Sequence, residues 1–146
     1  VSLTLATALV IITTSAKMPL GAFAIGGITI WLIGFVIEVV ADAQKSKWRA
    51  KPENKGKFIN VGLWSKSRHP NYFGEILICI CIANIALPVL HDWQFFSLIS
   101  PVFVIILLTL ISGLPMLEKL ADYKWGGMDD YEEYKKNTPV LIPKLV

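Results

Sequence analysis

The chain is built from long apolar runs separated by short charged segments. Residues 20–40 pass from a Gly-rich stretch into Trp31–Val40 with no charge before Glu38. Two further runs, Phe73–Leu90 and Phe95–Leu117, are comparably apolar. About 20 mainly apolar residues cross a bilayer as a helix, so each run predicts a full span. Val1–Ala16 is apolar but short. It reads as the end of a span that begins upstream, because the chain opens on Val and no basic segment precedes the run, as a signal peptide would require. The predicted fold is all-α: a polytopic transmembrane helix bundle of three full spans plus a partial N-terminal one. Residues 1–146 are expected to form a single membrane domain, the C-terminal cofactor-binding portion of a longer protein. Helical runs this long exclude a β-barrel.

Composition supports this class. Of the 146 residues 54% are hydrophobic and 17% charged, against roughly 45–50% and about 25% in soluble domains. Cys79 and Cys81 both lie inside an apolar run, which excludes a disulfide-stapled secreted fold. They point to opposite helix faces without His or carboxylate company, so no metal site is expected. A net charge of +3 is too small to suggest nucleic acid.

The placement of charge is more telling than its sum. Segment 41–70 carries Lys45, Lys47, Arg49, Lys51, Lys55, Lys57, Lys66 and Arg68 against Asp42 and Glu53. An excess of Lys and Arg marks the cytoplasmic side. Segment 41–70 is therefore expected as a cytosolic loop, and 118–146, two spans later, as a cytosolic tail. Contact of the basic loop with anionic lipid is compatible with this layout. Trp93, Phe95 and Phe96 at the opposite turn fit an aromatic interface belt.

Three constellations fall on the charged side. Glu38, Asp42, Lys45 and Arg49 share one helical face, which suits either a solvated exit helix or a polar stripe lining a pocket. In Ser67-Arg68-His69-Pro70-Asn71-Tyr72-Phe73-Gly74-Glu75, proline favours the first helical position, placing His69 at the N-cap. Free N–H groups there, with Arg68 and His69 beside them, make an anion site. Asn71 and Glu75, one turn apart, carry a polar face into the span. In the tail, Gly126-Gly127 breaks the helix, Tyr131 and Tyr134 face one way in a short interfacial helix, and Thr138–Pro143 is extended because residues before proline avoid the α region.

Together these motifs resemble the steroid 5-alpha-reductase C-terminal domain family, and within it the branch known as DUF1295. The resemblance runs from about Ile30 to Pro143. It rests on Glu38-x-x-x-Asp42-x-Gln44-Lys45, on Gly62 to Glu75, and on Tyr131-x-x-Tyr134-Lys135-x-x-Thr138-Pro139-Val140-Leu141-Ile142-Pro143. It implies an integral-membrane reductase that uses NADPH to reduce an activated carbon–carbon double bond in a steroid- or lipid-like enone entering from the bilayer. Residue by residue it points to Asp42 and Arg49, to Arg68, His69, Asn71, Tyr72 and Glu75, and in the tail to Lys119 and Tyr134 as cofactor-binding residues. No catalytic residue is assigned, since the carbonyl-polarising group in steroid reductases comes from the N-terminal half. Two rivals share part of the pattern. One is an S-adenosylmethionine-dependent membrane methyltransferase of the isoprenylcysteine carboxyl or phospholipid type, which has the Arg-His-Pro-x-Tyr-x-Gly stretch but usually a Glu-Glu pair where this chain has Glu118-Lys119. The other is a lipid-binding membrane module without turnover.

Overall fold

The computed structural model of the chain describes residues 21–144, with no side-chain detail at Phe23 and Val89. The expected partial span at 1–16 lies outside these residues. Among those described there is helix and irregular chain but no strand.

Helix α1, Ala22–Ala50, is 29 residues long. It runs through the apolar stretch and on through the first ten residues of what the charge pattern marks as a loop. Those residues stay helical because Lys47 and Arg49 sit in the last turn, where cations offset the exposed carbonyls. Pro52 then stops the helix. Helix α2, Pro70–Ala86, packs along α1. The two backbones touch where Gly34 meets Gly74: a Cβ on Gly74 would lie 2.6 Å from the Gly34 carbonyl oxygen and 2.9 Å from the Glu38 nitrogen. Lipid tails are as apolar as the helices, so close packing at small residues is what holds such a pair together. The outward face of α1 is apolar and open, with Ile25, Leu32, Ile33 and Val36 each more than half exposed. That surface suits hydrocarbon, not water.

The run at 73–90 does not form one full α-helical span. Helix α2 begins at Pro70, as the proline predicts, but ends at Ala86 after 17 residues, and Leu87–Val89 tighten into a 3-10 turn. Pro88 has no N–H to continue the ladder. The run at 95–117 is likewise interrupted. A 3-10 segment Asp92–Leu98 leads into α3, Ile99–Ile106, then a π-turn Leu107–Ile111, then α4, Leu114–Trp125. Pro115 lacks the amide that would reach back to Ile111. Upstream the chain loosens so that Ser112 and Gly113 N–H both donate to the Leu107 carbonyl, at 3.0 and 3.3 Å. Helix α4 also extends eight residues past the expected start of the tail. Helix α5, Asp129–Asn137, follows a turn at Gly126-Gly127, where Gly127 takes φ +85°.

By length and apolarity two helical stretches can cross a membrane, Ala24–Ala50 and Asp92–Trp125, while Pro70–Ala86 is apolar but shorter. The fold is that of a helical membrane protein. The end of α1, the start of α2, the end of α4 and α5 meet on one side of it.

Candidate functional site: a cationic, aromatic cavity

The linker between α1 and α2 is tied down by its neighbours. Gly62 adopts φ +61°, and an added Cβ there would meet the Gln44 amide group at 2.5–2.6 Å. Glycine at this point lets Gln44 Oε1 accept the Leu63 N–H at 2.9 Å. Trp64, 4% exposed, donates its indole N–H to the Ala41 carbonyl at 3.0 Å. The Lys45 ammonium lies 4.9 Å from the centre of the Trp64 ring, a cation–π distance. Trp64 thereby fixes the linker against the last turns of α1.

The tail completes the enclosure. Arg68 and His69 N–H donate to the Pro139 and Val140 carbonyls at 2.9 and 3.1 Å, and Lys144 N–H donates to the Lys66 carbonyl at 3.0 Å. The Ser67 hydroxyl donates to the Leu141 carbonyl at 2.7 Å. Segment 138–143, expected to run extended, instead bends at Thr138 and at 140–142 so that its carbonyls meet these donors, and it lies as a strap along residues 66–69. Phe58 sits among the tail aromatics, 5.3 Å from Tyr131, 5.2 Å from Tyr134 and 6.1 Å from Trp125, centre to centre. The Trp125 indole N–H donates to the Gly56 carbonyl at 2.6 Å.

These contacts surround a cavity of about 280 Å³, near the lower end of the roughly 300–1,000 Å³ common in small-molecule sites. Its polar lining is Lys45 and Arg49 from α1, Arg68 and His69 at the start of α2, and Glu118 and Lys124 from α4. Its aromatic lining is Phe58, Trp64, Trp125, Tyr131 and Tyr134. Among the described residues, four lysine and arginine side chains face one carboxylate. Glu118 takes Arg68 through Oε2 and the His69 ring nitrogen Nε2 through Oε1, the latter at 2.7 Å. Burial holds the Tyr134 phenol above its ordinary range, and burial with the bond to Asp122 does the same for Tyr131. Both hydroxyls therefore stay protonated and donate: Tyr134 to the Trp64 carbonyl at 2.5 Å, Tyr131 to Asp122 Oδ1 at 3.1 Å.

Of the residues singled out from sequence, Arg49, Arg68, His69 and Tyr134 come together in this wall. Asp42 and Lys119 are exposed and outside it. Asn71, Tyr72 and Glu75 are not in the wall either; they continue along α2, with Glu75 in electrostatic range of Glu38 and Asp42. The Asn71 Oδ1 atom is buried and has no hydrogen-bond partner among the described residues. Arg68 and His69, expected as open anion donors, are both engaged by Glu118. Sequence reading missed Phe58, Trp64, Glu118, Lys124 and Trp125 as wall residues. Helical phase held a usable signal for α4, since Glu118, Ala121 and Trp125 share a face that Lys119 leaves.

The family profile described as "Protein of unknown function (DUF1295)" matches residues 1–138. The chain belongs to the DUF1295 family. This DUF1295 chain is also similar to mouse (Mus musculus) 3-oxo-5-alpha-steroid 4-dehydrogenase 1, with 24% identity over 120 residues. The match covers 82% of the chain and 42% of that relative, so the chain spans less than half of the relative's length. No solved structure matches the chain.

Proposed function

We propose that the chain is the cofactor-binding part of a multi-pass membrane reductase that uses NADPH to reduce an activated carbon–carbon double bond in a steroid- or lipid-like enone, with its charged end facing the cytoplasm. The observation that carries this reading is the cavity's make-up: Lys45, Arg49 and Lys124 have no carboxylate within salt-bridge distance among the described residues, and aromatic rings wall the same space. Such a site suits a ligand with several anionic groups and a flat ring. The name of the mouse relative, a steroid 4-dehydrogenase, agrees in reaction class, and the resemblance to steroid 5-alpha-reductases supplies the choice of cofactor.

The residues present fit that group. Lys45, Arg49 and Lys124 would neutralise phosphates, including the extra one that separates NADPH from NADH, and Phe58 or Trp125 would stack on a base. Further along α2, Asn71 with its unpartnered buried oxygen and Glu75 would accept hydrogen bonds from amide and ribose groups. When bound, NADPH supplies the hydride; the protein's part is binding, orientation and electrostatics. The aromatic walls and the strapped tail would keep water from the bound phosphates.

Thermal unfolding of the detergent-solubilised protein with NADPH, NADH or S-adenosylmethionine tests the reading. NADPH is expected to raise the midpoint most and NADH less. Stabilisation by S-adenosylmethionine alone would replace the reductase with a methyltransferase. A protein stabilised by none of the three but by lipid would be a binding module.

A further inference from the structure

Among the described residues, Arg68, His69 and Glu118 are the part of the cavity wall where cation and anion are already joined. The Arg68 main chain is fixed, because its N–H is bonded to the Pro139 carbonyl. Its side chain is held differently. The guanidinium meets Glu118 through Nη1, while Nε is buried with no partner among the described residues. An arginine fork with an unsatisfied N–H takes its position from the carboxylate that grips it, not from a full set of bonds. A phosphate is an equally good acceptor for the same fork. Lys45, Arg49 and Lys124 stand in the same wall, so a ligand with several anionic groups arrives already attracted, whereas a single weak anion does not.

We propose that Glu118 and a phosphate group of the ligand compete for Arg68, so that this carboxylate sets how tightly and how selectively the cavity takes polyanions. The inference rests on the reading of the cavity as a site for a phosphate-bearing ligand, and it assigns Glu118 the part of a specificity residue. Asp122 supplies the internal control. It lies one turn further along α4, is not in the cavity wall, and takes its direct bonds from Lys135 at 2.6 Å and the Tyr131 hydroxyl, with Arg68 acting on it only at longer range.

The test is calorimetric binding of inorganic pyrophosphate to the detergent-solubilised protein. E118Q, which keeps an acceptor but loses the charge, is expected to bind pyrophosphate about tenfold more tightly. E118D, which keeps the charge on a shorter arm, is expected to fall between E118Q and the wild type, and it serves should E118Q not fold. D122N, the same charge change nearby, is expected to stay within about twofold of the wild type. Repeated in an R68Q background, the gain from E118Q should shrink below about threefold. Unchanged or weaker binding by E118Q and E118D would overturn the inference, as would an equal gain from D122N. If the wild type ignores NADPH while E118Q still gains affinity for pyrophosphate, the competition stands and the reductase reading falls.

Discussion

The crossing of α1 over α2 and the cavity at the charged end are held by different physics. At the crossing, Gly34 and Gly74 let two backbones touch, and what stabilises the contact is the absence of side chains. At the cavity, parts of the chain 50 to 74 residues apart are joined by hydrogen bonds and ion pairs: Arg68 to Glu118, Tyr134 to Trp64, Ser67 to Leu141. The first region has no room for a methyl group, and its contact is made by backbone rather than by paired charges. The second has room, but each donor it loses leaves a half-buried acceptor behind. A membrane protein of this shape can therefore keep its packing while its site changes.

Substitutions sharpen that contrast. Gly74→Leu should have the largest effect, about 3 kcal/mol of lost stability from overpacking, read as a lower unfolding midpoint in detergent that salt does not alter. Arg68→Ala should cost about 2 kcal/mol, because it leaves the part-buried Glu118 with only His69 of its two wall partners, and should also weaken ligand binding. Tyr134→Phe removes the hydroxyl that meets the Trp64 carbonyl and should cost about 1 kcal/mol in the same assay, with the aromatic contact to Phe58 kept. Lys135→Gln breaks an exposed pair with Asp122 and should cost about 0.5 kcal/mol or less, vanishing at high salt. A Gly74→Leu protein as stable as the wild type, or a large salt-independent effect at Lys135, would erase the distinction between the two regions.

Local chemistry was readable in the sequence wherever it was decided within a turn or two. Pro70 opens α2 with His69 at its N-cap position and Gly126-Gly127 ends α4, whereas the tail after Thr138, expected extended from its prolines, bends at 140–142 to bond residues 66–69. The interruptions at Pro88 and Pro115 were written in the same residues, but continuous hydropathy outweighed them in the reading of spans. The shared helical face of Glu38, Asp42, Lys45 and Arg49 carries the signal that α1 continues to Ala50, although the charge excess alone marks the same residues as part of a cytosolic loop. The partners of Arg68 and His69 were not legible. Glu118 comes within reach only when α4 passes beside the start of α2, a relation no local pattern encodes. Phe58 was hidden for the same reason, as an aromatic in a basic loop whose neighbours arrive from the tail.

The central claim is that the cavity between Lys45, Arg49, Lys124 and the tail aromatics takes NADPH. The most direct measurement is the NADPH dissociation constant of the wild type, Arg49→Gln, Lys124→Gln and Lys47→Gln. Lys47 is exposed on the same helix as Arg49 but stands outside the cavity wall. Loss of about tenfold in affinity for each of the first two variants, with Lys47→Gln close to the wild type, is the predicted result. Equal affinities across all four proteins would contradict the account.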